Sequence, residues 1–420
     1  MNLTLLCIIV AMGIAVVVLT KGLRYPRNVG VLFITVPMLM CISSTMTFIG
    51  GLLASRIAPD PKLATLPLTF MIIGTAIATL FIAKLNQAFS RKGATNIGFV
   101  LAICGALIAS VAALFGQFYL LLLAALLMGS SLAFAQQLRF AAIESVSAEQ
   151  APNVLSALML SGVFAAMLGP EVAFLGRNWL VSEHGYAGSF LGLSLVLCLA
   201  MVIFQWFQNP MVHHPHLEER QPRALWTIVK QPLFVIALMS GAIGYGLMSF
   251  IMTATPLSMH TMNGHSLEDT KWVIQSHVIA MFLPSIVTGW LIKRYSVLWV
   301  LVAGVIAYSL VAIIALSGQH VMHYWWALVL LGIGWNFLFI SGTALLPQSY
   351  QSHERFKVQA CNDFVIFSTQ ALASLLAGWL LFQTHWNMVV LLMVPLIIVM
   401  ALVIICYYRI STRQAMVANH

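Results

Sequence analysis

Apolar runs of about twenty residues recur along the whole chain, and short segments rich in polar residues separate them. A helix needs about 20 apolar residues to cross the hydrocarbon core of a bilayer. Only helices and closed barrels satisfy every backbone hydrogen bond in lipid. The pattern predicts an all-α membrane protein with thirteen spans, at 3–20, 29–53, 66–86, 95–115, 118–142, 153–176, 186–208, 227–256, 268–292, 297–317, 324–347, 356–382 and 386–408.

The least hydrophobic stretch lies in the middle, from Gln208 to Arg223, and leaves six spans on its C-terminal side. The segment 85–90 is similar to the segment 291–296, and each follows the second helix of its half. Two similar six-helix halves around a midplane site are a recurrent plan of transporters. We predict an extra N-terminal transmembrane helix (1–25), an N-terminal half (26–208), a cytoplasmic linker (209–224) and a C-terminal half (225–420). The run 3–20 lacks the basic start and cleavage site of a signal sequence, which favours a retained helix.

Composition and charge agree with a membrane protein. The chain is 61% hydrophobic and 7% charged, whereas soluble domains carry about 25% charged residues. The net charge of +9 does not indicate nucleic acid as a partner, because most basic residues fall in alternate loops. The opposite side holds Arg56, Lys62, Arg177 and Lys271. This positive-inside bias predicts that the C-terminus lies in the cytoplasm. We expect a multi-pass protein of the bacterial inner membrane.

Sequence motifs of enzymes are missing. The chain has no GxSxG, P-loop or HExxH sequence, which argues against an enzyme and against transport driven by ATP. The six cysteines fall in apolar runs without a disulfide-like or CxxC spacing. We therefore expect a secondary transporter with no permanently bound cofactor.

Two pairs of candidate ligands lie in consecutive predicted spans. Met248 and Met252 are one helical turn apart, as are His277 and Met281, so each pair shares a helix face. Thioether sulfur and neutral imidazole are soft ligands that select copper(I), and an ionisable residue inside a membrane usually faces the bundle interior. We predict a metal site of these four residues. The alternative is that these methionines only pack against their neighbours or face lipid, because a chain with 22 methionines will contain such pairs by chance.

The surroundings of this site add further candidates. Ser266 to Asp269 resembles a capping box, and Pro256 predicts that the preceding helix kinks or ends. The predicted extracytoplasmic loop between the two spans supplies accessory residues by which metal could be collected. They are Met259, His260, Met262 and His265. Charged residues in or near the spans are candidates for coupling or gating, because buried carboxylates in transporters often relay protons. They are Arg139, Glu144, Glu171 and Asp363.

The order of helices and loops resembles the major facilitator superfamily over residues 29–408. The loop 84–98 stands where that family has Gly-x-x-x-Asp-Arg-x-Gly, and here Arg91 and Lys92 remain without the acidic residue. A second likeness is to the glycine–proline motif of the family's fifth helix, at Gly162, Gly169, Pro170 and Gly176. The resemblance implies a major-facilitator-like bundle of six plus six helices that transports by alternating access.

A narrower resemblance covers three segments, Gly246–Leu257, Gln275–Phe282 and Gln136–Ala142. They are similar to the CcoA-type copper importers, which carry Met-x-x-x-Met in the seventh core helix and His-x-x-x-Met in the eighth. This resemblance implies copper import across the inner membrane for cytochrome oxidase assembly. Its implied partners are copper ion, the lipid bilayer, and a cytoplasmic copper chaperone or oxidase assembly factors.

Two alternatives stay open. A transporter of an organic solute, such as riboflavin, a siderophore or a drug, would stack a flat cargo on aromatic residues such as Trp326, Trp335 and Phe339. A membrane receptor or assembly partner with the same fold would transport nothing, although the twofold repeat disfavours it.

Overall fold

The computed structural model of the chain describes residues 3–147, 150–209, 223–351 and 354–418. Over these ranges the chain is helical and contains no strand. The helices are α1 Leu3–Val17, α2 Arg27–Thr45, α3 Gly51–Ile57, α4 Leu66–Phe115, α5 Phe118–Glu144, α6 Ala151–Gly176, α7 Ala187–Phe204, α8 Leu225–Val229, α9 Pro232–Pro256, α10 Leu267–Phe282, α11 Ser285–Tyr295, α12 Val297–Ser317, α13 Val321–Leu345, α14 Arg355–Gln383, α15 Trp386–Leu391 and α16 Met393–Ala418.

Thirteen helical segments in the described ranges are long and apolar enough to cross a membrane. Their positions match the thirteen predicted spans, including the extra N-terminal one. Several spans are built from more than one helix. Short π-helical segments join α2 to α3 at Met46–Gly50 and extend α1 to Gly22 and α9 to Met262. The predicted fold class is therefore confirmed.

The internal repeat is visible in the backbone. Helix α4 contains two spans that meet at Ser90, where φ is 60° and ψ is 167°. The corresponding turn between α11 and α12 lies at Ser296, with φ of 88° and ψ of 155°. A positive φ is uncommon for a residue other than glycine. The two similar sequence segments thus end in the same sharp turn, one in each half.

The spans pack as two groups, and two helix pairs make the most extensive contacts between them. In the first group α2 packs against α6 and α7, and α4 against α5. In the second group α9 packs against α13 and α14, and α10 against α13. The groups meet where α6 contacts α10 and where α4 contacts α14. Helix α1 lies at the periphery beside α2 and α6, with 17% of its span buried.

Helices α4 and α5 approach each other at two glycines. A Cβ atom on Gly129 would overlap the carbonyl oxygen of Met71, and one on Gly74 would overlap the carbonyl oxygen of Leu126. The hydroxyl of Thr75 donates to the Gly129 carbonyl at 2.9 Å. Small residues let backbones approach closely in membranes, where helix association depends on packing and interhelical hydrogen bonds. This contact fixes the position of α5 in the first group.

The α-helix α9 ends at Pro256, which agrees with the prediction that the helix kinks or ends there. Proline removes one backbone donor, but here the chain continues as the π-helical segment Leu257–Met262. The N–H of Asn263 donates to the carbonyl of Ser258, five residues back, at 3.0 Å. Helical structure therefore continues beyond the proline to Met262, and the connection to α10 is short.

The predicted cap of α10 is present. The hydroxyl of Ser266 accepts from the backbone N–H of Asp269 at 2.9 Å, as expected for a helix start. Residues 210–222 of the predicted linker, with His213, His214 and His216, lie outside the described residues. The predicted boundaries of the four parts stay a prediction.

Candidate transport site

Five aromatic side chains from four helices of the second group form a cluster, called here the aromatic cluster: Tyr245, Phe282, Trp335, Phe339 and Phe367. The rings of Trp335 and Phe339 stack at 5.1 Å with an interplanar angle of 14°. Tyr245 meets them edge-on at 5.1 and 5.0 Å. Phe367 contacts Tyr245, and Phe282 contacts Trp335, each at 6.1 Å. Such offset and edge arrangements are the favoured geometries of aromatic pairs.

The aromatic cluster borders two cavities between the groups of spans. Phe282 lines a cavity of about 30 Å³ together with residues of the first group that include Gln136 and Arg139. Phe367 lines a cavity of about 290 Å³ between α4 and α14. The cluster therefore lies at the junction of the two groups, where transporters built from two repeats bind their cargo.

Two of the aromatic residues predicted for an organic cargo, Trp335 and Phe339, belong to the cluster, and the third does not. Trp326 is half exposed and contacts Trp325 at 4.6 Å. Tyr245, Phe282 and Phe367 were missed by the sequence reasoning. For Tyr245 a signal existed, because it lies three residues before Met248 and so shares the helix face of the methionine pair.

The four predicted metal ligands are all buried. His277 is fully enclosed, and Met248, Met252 and Met281 are each less than a tenth exposed. Helix α13 packs against both α9 and α10. A Cβ on Gly332 of α13 would lie 2.6 Å from the His277 carbonyl oxygen, so the backbones of α10 and α13 are close there. This burial agrees with the prediction that both pairs face the interior of the bundle. That the four residues bind one metal ion stays a prediction.

The imidazole of His277 has a defined tautomer. Its Nδ1 lies 2.7 Å from the carbonyl oxygen of Leu328. Because a carbonyl only accepts, Nδ1 carries the proton, and Nε2 of the neutral ring keeps its lone pair. Nε2 is buried and has no hydrogen-bond partner. An imidazole held in this way by a carbonyl is a common arrangement for metal ligands.

Metal binding by other residue types has less support. Among the described residues, no group of three or more His, Cys, Asp or Glu side chains could hold a metal ion. A metal held at His277 would therefore depend on thioether ligands. The side chains of Met248, Met252 and Met281 are the ones that the sequence pattern offers.

Three of the four accessory residues lie in a helical segment and not in the predicted connecting loop, whereas His265 does lie in a loop. Met259, His260 and Met262 lie in the π-helical segment, and Met259 is fully buried while Met262 is exposed. His260 Nδ1 pairs with the carbonyl of His265 at 2.9 Å. His265 Nε2 pairs with the carbonyl of Gln319 at 2.8 Å. These three residues are helical because the π-helical segment continues the chain after Pro256. A metal-collecting role stays a prediction.

An ion pair joins the two groups on the side predicted to be extracytoplasmic, called here the outer side. Lys271 Nζ of α10 lies 3.0 Å from Glu171 Oε2 of α6, and both side chains are buried. Lys271 also lies 4.2 Å from the ring centroid of Phe174. One turn along α10, the Gln275 amide donates to the Met167 carbonyl at 3.1 Å. Glu171 was predicted as a coupling or gating residue, and Lys271 as its partner was missed.

The remaining predicted gating residues lie nearer the aromatic cluster. Asp363 accepts a hydrogen bond from Asn362 at 3.1 Å and interacts electrostatically with Arg139, across the two groups. Tyr245 interacts with both charges. The side chain of Glu144 lies outside the described residues. Coupling or gating by these residues stays a prediction.

Comparison with known proteins decides the family. Residues 237–419 match the model of the Major Facilitator Superfamily. The chain is 33% identical to the riboflavin transporter RfnT of Brucella anthropi over 380 residues, which are 90% of this chain and 95% of the relative. The chain belongs to the major facilitator superfamily. It is thus a secondary transporter embedded in the lipid bilayer.

Other members of the superfamily are similar over most of the chain. The uncharacterized MFS-type transporter YddS of Bacillus subtilis is 26% identical over 86% of this chain and 86% of its own length. The crystal structure of a bacterial homologue of the iron transporter ferroportin, in an outward-facing state, shares the fold. Its TM-score is 0.62 at 15% identity, and the match covers 91% of this chain and all of that one. The resemblance to the superfamily is confirmed, and the one to copper importers stays a prediction.

Proposed function

We propose that this transporter carries a flat organic solute of the flavin type. The aromatic cluster carries the proposal, because stacked and edge-on rings bordering the junction of the two groups suit a planar cargo. The relative RfnT, named as a riboflavin transporter, supports the same class of cargo. A cargo of this class needs buried apolar surface with a few placed polar groups, and the cluster with its two cavities offers both.

Alternating access would follow from movement of one group of spans against the other. Polar contacts join the groups on the outer side, namely Lys271–Glu171, Gln275–Met167 and Thr69–Ser374. This conformation is therefore held closed toward the outer side. The cavity beside Phe367 lies along the part of α4 and α14 that leads away from these contacts. We propose the bacterial inner membrane as the location, with the C-terminus in the cytoplasm, from the loop charges.

Uptake of labelled riboflavin tests the proposal. The chain is expressed in a riboflavin-auxotrophic bacterium that lacks its own transporter, as wild type, Tyr245→Leu and Trp326→Leu. We expect uptake by wild type and by Trp326→Leu, whose tryptophan lies outside the cluster. Tyr245→Leu should raise KM about tenfold, since it removes several aromatic contacts. A wild-type chain that is present in the membrane but moves no riboflavin overturns the proposal.

Copper import is a second candidate, and the tautomer of His277 favours it. Its Nε2 lone pair is buried and available, and soft thioethers occupy the neighbouring helix turns. Copper would be the transported cargo, passed to a cytoplasmic chaperone or to oxidase assembly factors. Copper-64 accumulation by wild type and His277→Asn, at matched expression, separates the candidates. Equal accumulation in the two strains removes copper as the cargo of this site.

A further inference from the structure

Two buried polar atoms beside the aromatic cluster have no hydrogen-bond partner. They are Nε1 of Trp335 and Nε2 of His277. The indole nitrogen can only donate, and Nε2 of His277 can only accept because Nδ1 holds the ring proton. An unsatisfied donor or acceptor in a buried position is unfavourable. A second state in which both atoms are paired would remove this cost.

Both atoms belong to the contact between α10 and α13. The His277 ring pairs with Leu328 of α13, and Trp335 of the same helix contacts Phe282 of α10 at 6.1 Å. Gly332 of α13 lies against the His277 carbonyl, and Trp335 follows Gly332 by three residues, which is about 4.5 Å along a helix. One metal ion cannot pair both atoms, because the indole N–H of Trp335 can only donate a hydrogen bond. A fused ring system can span the distance.

We infer that the cargo carries both a hydrogen-bond acceptor, bound by Trp335 Nε1, and an N–H donor, bound by His277 Nε2, on one planar ring system. The inference rests on the proposed function and specifies its substrate class as a fused heteroaromatic with an amide or imide edge. Stacking contributes affinity without chemical selectivity, whereas an unpaired buried group rejects analogues that lack the matching atom. Trp335 and His277 are thus specificity-determining residues.

Two substitutions separate these contacts from packing. Trp335→Phe keeps an aromatic plane and removes the donor. His277→Asn can keep an N–H near the position of Nδ1, facing the Leu328 carbonyl, and removes Nε2. Trp325→Phe is the matched control, because the Trp325 indole already donates to Ser276 at 2.8 Å and lies outside the cluster.

The probes are riboflavin and 3-methylriboflavin, in which a methyl group replaces the imide proton. For the wild type we expect a KM about tenfold lower for riboflavin than for the methylated probe. In His277→Asn the two KM values should become equal. Trp335→Phe should raise both KM values by about tenfold and leave their ratio unchanged. Trp325→Phe should behave as wild type.

Each outcome decides a separate statement. Wild-type uptake of neither probe overturns the proposed function and this inference with it. Riboflavin uptake without discrimination against the methylated probe overturns the donor contact alone, and it does so without any variant. A wild-type KM for riboflavin in Trp335→Phe overturns the acceptor contact. Loss of copper-64 uptake in His277→Asn, with flavin discrimination intact, reassigns Nε2 to a metal.

Discussion

The chemistry of His277 depends on a partner that lies 51 residues away. The sequence indicates a buried ionisable residue, because a histidine inside an apolar span seldom faces lipid. It cannot indicate the tautomer, which the Leu328 carbonyl of another helix determines. The position of a candidate ligand was thus predictable, and its protonation was not. The same limit applies to Trp335, whose unpartnered nitrogen follows from tertiary packing.

Met252→Leu separates packing from metal binding at a single residue. Leucine and methionine have similar volumes, so the change should cost less than about 1.5 kcal/mol of stability. If the cargo is a flavin, riboflavin uptake should stay within about twofold of wild type because the apolar contact is kept. Loss of riboflavin uptake in a folded variant would contradict the view of Met252 as adaptable packing. Copper-64 accumulation measured in parallel shows whether its sulfur is a ligand.

Glu354 gives an expected pH dependence at the membrane surface. The side chain is buried and forms a two-point ion pair with Arg223, at 2.8 and 2.7 Å. The hydrogen bond from Arg223 is the main cause that lowers the pKa of Glu354 to about 2. A lowered pKa stabilises the folded state above the ordinary carboxyl pKa of 4.5. This contribution is lost as the pH falls through about 2.

The difference in Tm between wild type and Glu354→Gln in detergent measures this contribution. It should be constant above pH 5 and shrink steadily toward pH 2, because only the wild type loses an ion pair. Glu183→Gln, at an exposed position, controls for the loss of a carboxylate. A difference in Tm that is the same at pH 7 and pH 3 would show that Glu354 contributes nothing through its charge.

At the scale of helices, the close contact between α4 and α5 predicts that a larger residue at Gly129 lowers the stability of the protein. Gly129→Ala would place a methyl group against the Met71 carbonyl, where backbone cannot easily yield. We expect a loss of about 1–3 kcal/mol in stability, the usual cost of overpacking. Gly289→Ala in α11 is the matched control, since no atom lies within 4 Å of its added Cβ. That change should be neutral or slightly stabilising, because alanine favours helix. Thermal unfolding in detergent compares the two, and equal Tm values would contradict the close approach.

The spans could be predicted because their hydrophobic length is imposed by the bilayer, whatever their neighbours are. The details at their ends could not. Local rules predicted that the helix stops or kinks at Pro256, and α9 does end there, but they could not show that a π-helical segment follows. The turns at Ser90 and Ser296 were marked in the sequence by similarity, yet their positive φ values follow only from the packed spans.

For the whole molecule, the Glu171–Lys271 pair should help to keep the outer side closed. Glu171→Gln leaves Lys271 as a buried charge without its carboxylate, and removing one partner of a buried pair costs about 3–5 kcal/mol. Because this cost applies to the closed state, the population should shift toward opening on the outer side. The double variant Glu171→Gln with Lys271→Gln should shift it less.

Double electron–electron resonance between spin labels at Lys62 and Thr261 measures this opening. Serine first replaces the six native cysteines, so that only these two positions are labelled. These positions lie on the outer side of the first and second groups. We expect a longer distance to be more populated in Glu171→Gln than in wild type. Identical distance distributions would show that the pair does not bias the equilibrium.

The site as a whole was less predictable than the fold. Met248, Met252, His277 and Met281 stand out in the sequence by spacing. The aromatic cluster instead draws one or two residues from each of four helices, so most of its members are far apart in the sequence. Trp335 and Phe339 were found because a flat cargo was considered. Lys271 was counted only as an outer basic residue, since its pairing with Glu171 depends on how α6 meets α10.

The peripheral helix α1 determines on which side of the membrane the N-terminus lies. The described residues contain thirteen candidate spans. Because this number is odd, the two ends of the chain face opposite compartments if every span crosses the bilayer. A fluorescent protein that matures only in the cytoplasm and a phosphatase that folds only outside it would each be active at one terminus alone. Deleting α1 would bring both termini to the same side of the membrane, and the phosphatase fused at the N-terminus would then be inactive.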